Sequence, residues 1–214
     1  MVEHLLKNPE DFIGAFRKLP NNLQLMTVHA LQSVVFNRSL KKRLENGLSL
    51  TTPVTGDLVG RLDEKGQLAV SSCVTVEERT APRIGRNCDL GRLTVTGPLP
   101  GRDIRTCEGK PGEIEQSILE EMDLADTTWM VEAIPRLTTS GTRRSLTTSF
   151  EDFSVEVTPK AAEETLGERW NKGPDDDSRW HPDGACLKFR FTLPSGSYAT
   201  ILLREYMRGP LNQL

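Results

Sequence analysis

The chain has 214 residues and a mass of 23.9 kDa, with 36% apolar residues, 27% charged residues and a mean hydropathy of −0.41. That is enough chain to bury a core in one or two domains, and the composition excludes a wholly disordered or membrane-embedded protein. A net charge of −3 and a pI near 5.7 argue against a protein that holds nucleic acid by bulk charge alone. No window approaches the roughly 18 consecutive apolar residues of a spanning helix, and the first residues lack the apolar stretch of a signal peptide, so a cytoplasmic protein with no membrane partner is expected.

Asn8-Pro9-Glu10-Asp11 has the composition of a helix start, which predicts a short helix to about Lys18. The strongest periodicity follows. Leu23, Met26, Ala30, Leu31, Val34, Val35, Leu40 and Leu44 fall at helical spacing over residues 22–46, and Gly47 is placed to stop the helix. Arg38, Lys41, Lys42 and Arg43 at its end serve equally as partners of the helix dipole or as contacts to RNA. Residues 48–101 read as short strands at 57–62, 67–76 and 92–96. Helices are expected at 112–124 and 127–133, and strands at 144–149 and 154–158. A long loop rich in glycine, proline and acids is expected over 163–184, with a short helix at 161–166. The end of the chain reads as a strand at 187–193, a Pro194-Ser195-Gly196-Ser197 turn, and a helix whose face is Ala199, Leu202, Leu203 and Tyr206.

Charge is distributed in blocks. Arginines recur between residues 79 and 110, among them Arg83 and Arg86, while residues 112–135 hold acids and no base; basic residues return at Arg136, Arg143 and Arg144. Such blocks are usually solvated faces, but a basic cluster in an acidic chain is also the electrostatic footprint expected for phosphates. Arg143, Arg144, Arg83 and Arg86 are the candidate RNA contacts on that ground. A third reading is an interaction protein whose opposed charged faces dock a protein partner.

The four cysteines, Cys73, Cys88, Cys107 and Cys186, form no Cys-x-x-Cys pair, so free thiols are expected. His181, Asp183 and Cys186 lie close together, yet the mixture suits neither calcium nor zinc, and no metal site is expected. No nucleotide-binding loop or nucleophile motif is present. The segment from Phe191 to Thr200 carries the most chemistry. A strand passing through Pro-Ser-Gly-Ser into a helix points backbone N–H groups and hydroxyls at an anionic or carbonyl-bearing ligand. Gly196 permits close approach, and Tyr198 offers a flat face for a base, or else packs half-buried against a capped helix.

Two segments carry a family resemblance. Leu193-Pro194-Ser195-Gly196-Ser197-Tyr198-Ala199-Thr200, followed by Arg204-Glu205, resembles the C-terminal signature of the tRNA pseudouridine synthase D (TruD) family, archaeal type. His29-Ala30-Leu31-Gln32-Ser33-Val34-Val35-Phe36-Asn37-Arg38 is similar to that family's long helix, with Gly56-Asp57 following at the usual distance. The resemblance implies an α+β fold of mixed helices and mainly antiparallel strands. Residues 1–140, with the helix 22–46, would form the insertion domain, and 141–214 the end of the catalytic domain. It implies an enzyme that isomerises uridine to pseudouridine in tRNA, typically at position 13, with no cofactor. An aspartate attacks the nucleoside, and a closed pocket holds the detached uracil. Ser195, Gly196, Ser197 and Tyr198 match the part of that pocket that binds substrate.

The family's Gly-x-Lys-Asp-x-x-Ala-x-Thr stretch with the nucleophile, and its Asn-Tyr-Phe-Gly-x-Gln-Arg-Phe-Gly motif, are absent from the sequence. Asp57 lies in the insertion-domain position without the neighbouring lysine. The chain thus resembles a C-terminal portion without a catalytic residue, whose partners would be tRNA or another structured RNA and the missing N-terminal catalytic half. The alternative is a non-catalytic RNA-binding module derived from such an enzyme.

Overall fold

In the computed structural model, residues 1–158 and 186–207 are described; the expected loop at 163–184, the helix at 161–166 and the residues His181 and Asp183 lie outside them. The chain divides into two compact units, Met1–Thr147 and Thr148–Leu214.

The first unit opens with α1 (Val2–Lys7) and α2 (Phe12–Arg17), where the sequence suggested one helix. Asn8 closes α1 rather than opening α2, and Asp11 is the cap that counts: its carboxylate accepts from the Gly14 N–H at 2.8 Å and meets His4 Nε2 at 2.8 Å. That backbone N–H and His4 hold the Asp11 carboxyl below its ordinary pKa. The long helix α3 spans Asn21–Glu45, with Gly47 just beyond it at φ 72°, as its sequence period required. Its buried face is not the apolar one. Gln24, Gln32, Val35, Phe36, Ser39 and Arg43 face inward, whereas Leu23, Met26, Val34 and Leu44 are exposed.

Four antiparallel strands follow in the spatial order β2-β1-β3-β4: β1 (Leu58–Leu62), β2 (Leu68–Thr75), β3 (Leu93–Leu99) and β4 (Thr142–Ser145). Between β2 and β3 lies α4 (Ala81–Asp89), a helix in the gap between the strands expected at 67–76 and 92–96, where the sequence reading places no element. Its signal was Pro82 at the helix start and apolar positions at Ala81, Ile84 and Cys88, one helical face packed on Val59, Val76 and Val95 of the core. Helix α5 spans Gly109–Glu121. The helix expected at 127–133 does not form; the segment is irregular up to one 3₁₀ turn at Pro135–Leu137. Gly97 lets α3 lie close to β3, since a Cβ there would stand 2.8 Å from Leu146 and 2.9 Å from the Phe36 ring.

The second unit contains the antiparallel pair β5 (Glu151–Thr158) and β6 (Cys186–Thr192), and α6 (Ala199–Met207). Phe153 stacks on Tyr206 with ring centroids 5.1 Å apart, and Phe189 lies 5.4 Å from the same ring, so an aromatic cluster ties the strands to the helix. The architecture is α+β with antiparallel sheets. No helix among the described residues is long and apolar enough to cross a membrane.

Candidate functional site

The turn from β6 into α6 is built as the sequence implies. Ser197 donates its N–H to the Pro194 carbonyl at 3.1 Å, which closes the turn around Ser195 and Gly196. Gly196 has φ 85°, a left-handed conformation that explains the glycine, and a Cβ there would meet nothing within 4 Å, so the space above it is open. The Ser197 hydroxyl lies 3.1 Å from that of Thr148, which fixes one side of the turn, while Ser195 is exposed. Tyr198 carries the first helical carbonyl of α6, accepting from Ile201 and Leu202. The tyrosine is 61% exposed. Tyr206, two turns on, belongs to the aromatic cluster of this unit. Within α6, Arg204 Nε is buried with no hydrogen-bond partner among the described residues. Such an orphan donor is costly unless something accepts from it.

The four candidate arginines separate into three environments. Arg83 and Arg86 are exposed, one turn apart on α4, on the side opposite Ala81, Ile84 and Cys88. The exposed Arg79 just before them is already paired with Glu77 at 2.8 Å. Arg144 is half-buried, with its guanidinium 5.4 Å from the centre of the Phe36 ring.

Arg143 does not belong on an RNA-facing surface. Its side chain is 2% exposed and forms a two-point pair with Glu115 of α5, Nη2 to Oε1 at 2.7 Å and Nη1 to Oε2 at 3.0 Å. Its remaining donors go to the Thr96 hydroxyl and carbonyl, the Arg105 carbonyl and Cys107 Sγ. Burial opposes its charge, but Glu115 outweighs that and holds the guanidinium above its ordinary pKa. The physical reason for the correction is that a strand alternates its faces: Arg143 and Arg144 are neighbours in sequence, and only Arg143 points into the core.

The basic end of α3 is likewise spent on structure. Arg43 makes a buried two-point pair with Asp57, at 2.6 and 2.8 Å, and also donates to the Ser49 carbonyl. Asp57 is fully buried and accepts in addition from the Val54 N–H. Lys42 pairs with Glu121, so Arg38 and Lys41 are the exposed cations there. Sequence reasoning missed the role of the buried glutamines. Gln32 donates to the Pro100 carbonyl at 2.8 Å, and Gln24 donates to the Leu19 carbonyl while accepting from Arg136. Both anchor α3 to chain on either side of it. The motif residue Gln32 was visible in the sequence; its partner, 68 residues away, was not.

Among the described residues no group of His, Cys, Asp or Glu could hold a metal ion. Cys73 and Cys107 are buried free thiols and Cys88 is a half-buried one. Burial pushes the Cys107 thiol up to about 12, with Glu115 adding to the effect. At pH 8 Cys107 should therefore stay unmodified by iodoacetamide in the folded protein and react fully in urea. Peptide mass spectrometry checks this, and rapid native labelling of Cys107 would contradict its placement.

Comparison with known proteins agrees with this architecture. The family model described as "tRNA pseudouridine synthase D (TruD)" matches residues 1–206. The Methanosarcina acetivorans protein named "Probable tRNA pseudouridine synthase D" is 38% identical over 208 residues, which is 97% of this chain and 43% of that protein. A Halobacterium salinarum protein of the same name is 32% identical over 210 residues, covering 96% of this chain and 42% of the relative. A crystal structure from Methanosarcina mazei, described as tRNA pseudouridine synthase D, superposes with a TM-score of 0.76 at 34% identity, over 99% of this chain and 44% of that one. The chain thus spans about two fifths of the length of the relatives it matches. With the family model covering nearly the whole chain, and the helix and turn motifs in place at its two ends, the chain belongs to the tRNA pseudouridine synthase D family.

Proposed function

We propose that this chain is the RNA-holding, C-terminal portion of a cytoplasmic TruD-type enzyme that converts uridine to pseudouridine in tRNA, and that it lacks the nucleophile and is inactive by itself. The observation that carries the reading is the Pro194–Tyr198 turn of a TruD-family chain, with open space over Gly196 and an exposed tyrosine at the start of α6. Ser195, Gly196 and Ser197 line the uracil edge, the two serines offering hydroxyls while the Ser197 N–H holds the turn, and Tyr198 supplies a stacking face. Arg83, Arg86 and Arg144 take phosphates. The reaction needs a carboxylate within bonding reach of the nucleoside, and correct placement of such a group supplies about 7–11 kcal/mol of the barrier. Hydroxyls and a phenol can orient a base but do not replace that carboxylate.

The assay is tritium release from tRNA labelled at uracil C5, because that hydrogen is lost when C5 becomes the glycosidic carbon. The purified chain alone should release none, while coexpression with a polypeptide carrying the family's aspartate motif should restore release, and Tyr198→Ala should depress it without unfolding the chain. Release by the chain alone, abolished by changing one of its own aspartates, would overturn the reading. RNA binding without release in any combination would favour the non-catalytic module.

A further inference from the structure

Helix α3 buries a mixed face against the first unit, Gln24, Gln32, Val35, Phe36, Ser39 and Arg43, and leaves its more apolar face outside. Its inward side, through Val35 and Phe36, meets β3 and α5. On the opposite side Leu23, Met26, Ala30 and Val34 follow one another at spacings of three, four and four residues, which places them in a single line along the helix. All four are exposed, Leu23 at 42%, Met26 at 59% and Val34 at 41%. The line is about 16 Å long at 1.5 Å per residue. It is flanked by His29 and Ser33 on one side and Thr27 on the other, and it ends where the same face turns polar at Asn37 and Lys41.

An apolar centre with a polar rim is the anatomy of a packing interface, and the apolar stripe of a helix is normally turned towards a partner. The stripe holds no cation and no aromatic ring, so it has nothing with which to take a phosphate or stack a base. Ala30 at its middle leaves room for a partner's backbone to come close, as helix-on-helix packing requires. The occupant follows from length: the relatives are more than twice as long as the span they share with this chain.

We infer that the Leu23-Met26-Ala30-Val34 stripe of α3 is the seat of an apolar helix belonging to the part of the TruD polypeptide that this chain does not span. The inference rests on the reading of the chain as one portion of the enzyme and adds where the other portion docks.

The test is coexpression of the tagged full chain with the remainder of the Methanosarcina mazei protein, reading the amount of complex recovered. The triple variant Leu23→Gln, Met26→Gln and Val34→Gln should keep the circular dichroism of the parent chain and lower recovery more than tenfold. Ala30→Phe, which keeps the stripe apolar but blocks close approach, should do the same, and Arg83→Gln on α4 should not. Failure of the parent chain to form a complex overturns the inference, as does a complex that the stripe variants leave intact. So does a dimer of the chain alone that the triple variant dissolves, which would make the stripe a surface between copies. A complex that forms through the stripe yet releases no tritium leaves this inference standing and overturns the proposed function.

Discussion

Replacing Glu115 with alanine should cost the folded state about 3–5 kcal/mol, because it strands the buried Arg143 guanidinium without a countercharge. A domain of this kind is stable by only about 5–15 kcal/mol, so the change removes a large part of the margin. The geometry explains the size of the effect. Glu115 and Arg143 meet through two hydrogen bonds, and Glu115 also accepts from the Cys107 N–H at 3.2 Å. Loss of the carboxylate thus breaks the tie between α5 and β4 and leaves a backbone donor unpaired as well. Urea denaturation followed by circular dichroism is the measurement, with the Glu115→Leu, Arg143→Met double variant beside it. The double variant should recover part of the loss, since removing both charges avoids an orphan. A loss below about 1 kcal/mol for Glu115→Ala would mean that the pair is hydrated, contrary to its burial.

The opposite behaviour is expected on α4. Changing Arg83 and Arg86 together to glutamine should leave stability within about 0.5 kcal/mol, because both side chains are exposed and the face that packs on the core is untouched. Its effect should appear in RNA binding. Each phosphate contact contributes about 0.7–0.9 to the slope of log affinity against log salt, and so roughly the same number of log units at 0.1 M salt. Losing two contacts should weaken tRNA binding roughly 30-fold and flatten the slope by about 1.4–1.8. Filter binding of folded tRNA between 50 and 200 mM salt gives both numbers. An unchanged slope would take α4 off the RNA-facing surface. The contrast with Arg143 matters in practice: a charge reversal there would unfold the protein and mimic a binding defect.

The two motif segments behave differently in one respect. In the turn from Pro194 to Tyr198 the cause is local: Gly196 supplies the left-handed φ that the turn needs, and the Ser197 N–H to Pro194 carbonyl bond closes it. In the helix motif, Gln32 and Phe36 are committed to partners on other elements, the Pro100 carbonyl and the backbone beside Gly97. Its residue types alone therefore did not reveal what they do.

By itself, the sequence determined the elements whose causes are local. Helix α3 runs over its periodic residues to its glycine stop, and the β6–turn–α6 passage lies at its motif. These depend on the period of apolar residues and on backbone preferences, which act over a few residues. Tertiary structure decided which face of α3 is inside, because the helix carries two candidate faces and the polar one finds carbonyls and carboxylates waiting for it. It also decided that Arg143 and Arg43 are core residues while Arg83 and Arg86 are not. A guanidinium is buried only where a carboxylate and several carbonyls converge on it, and Glu115 and Asp57 come from other elements, 28 and 14 residues away. That convergence depends on how the elements pack, and the charge of the local sequence does not register it.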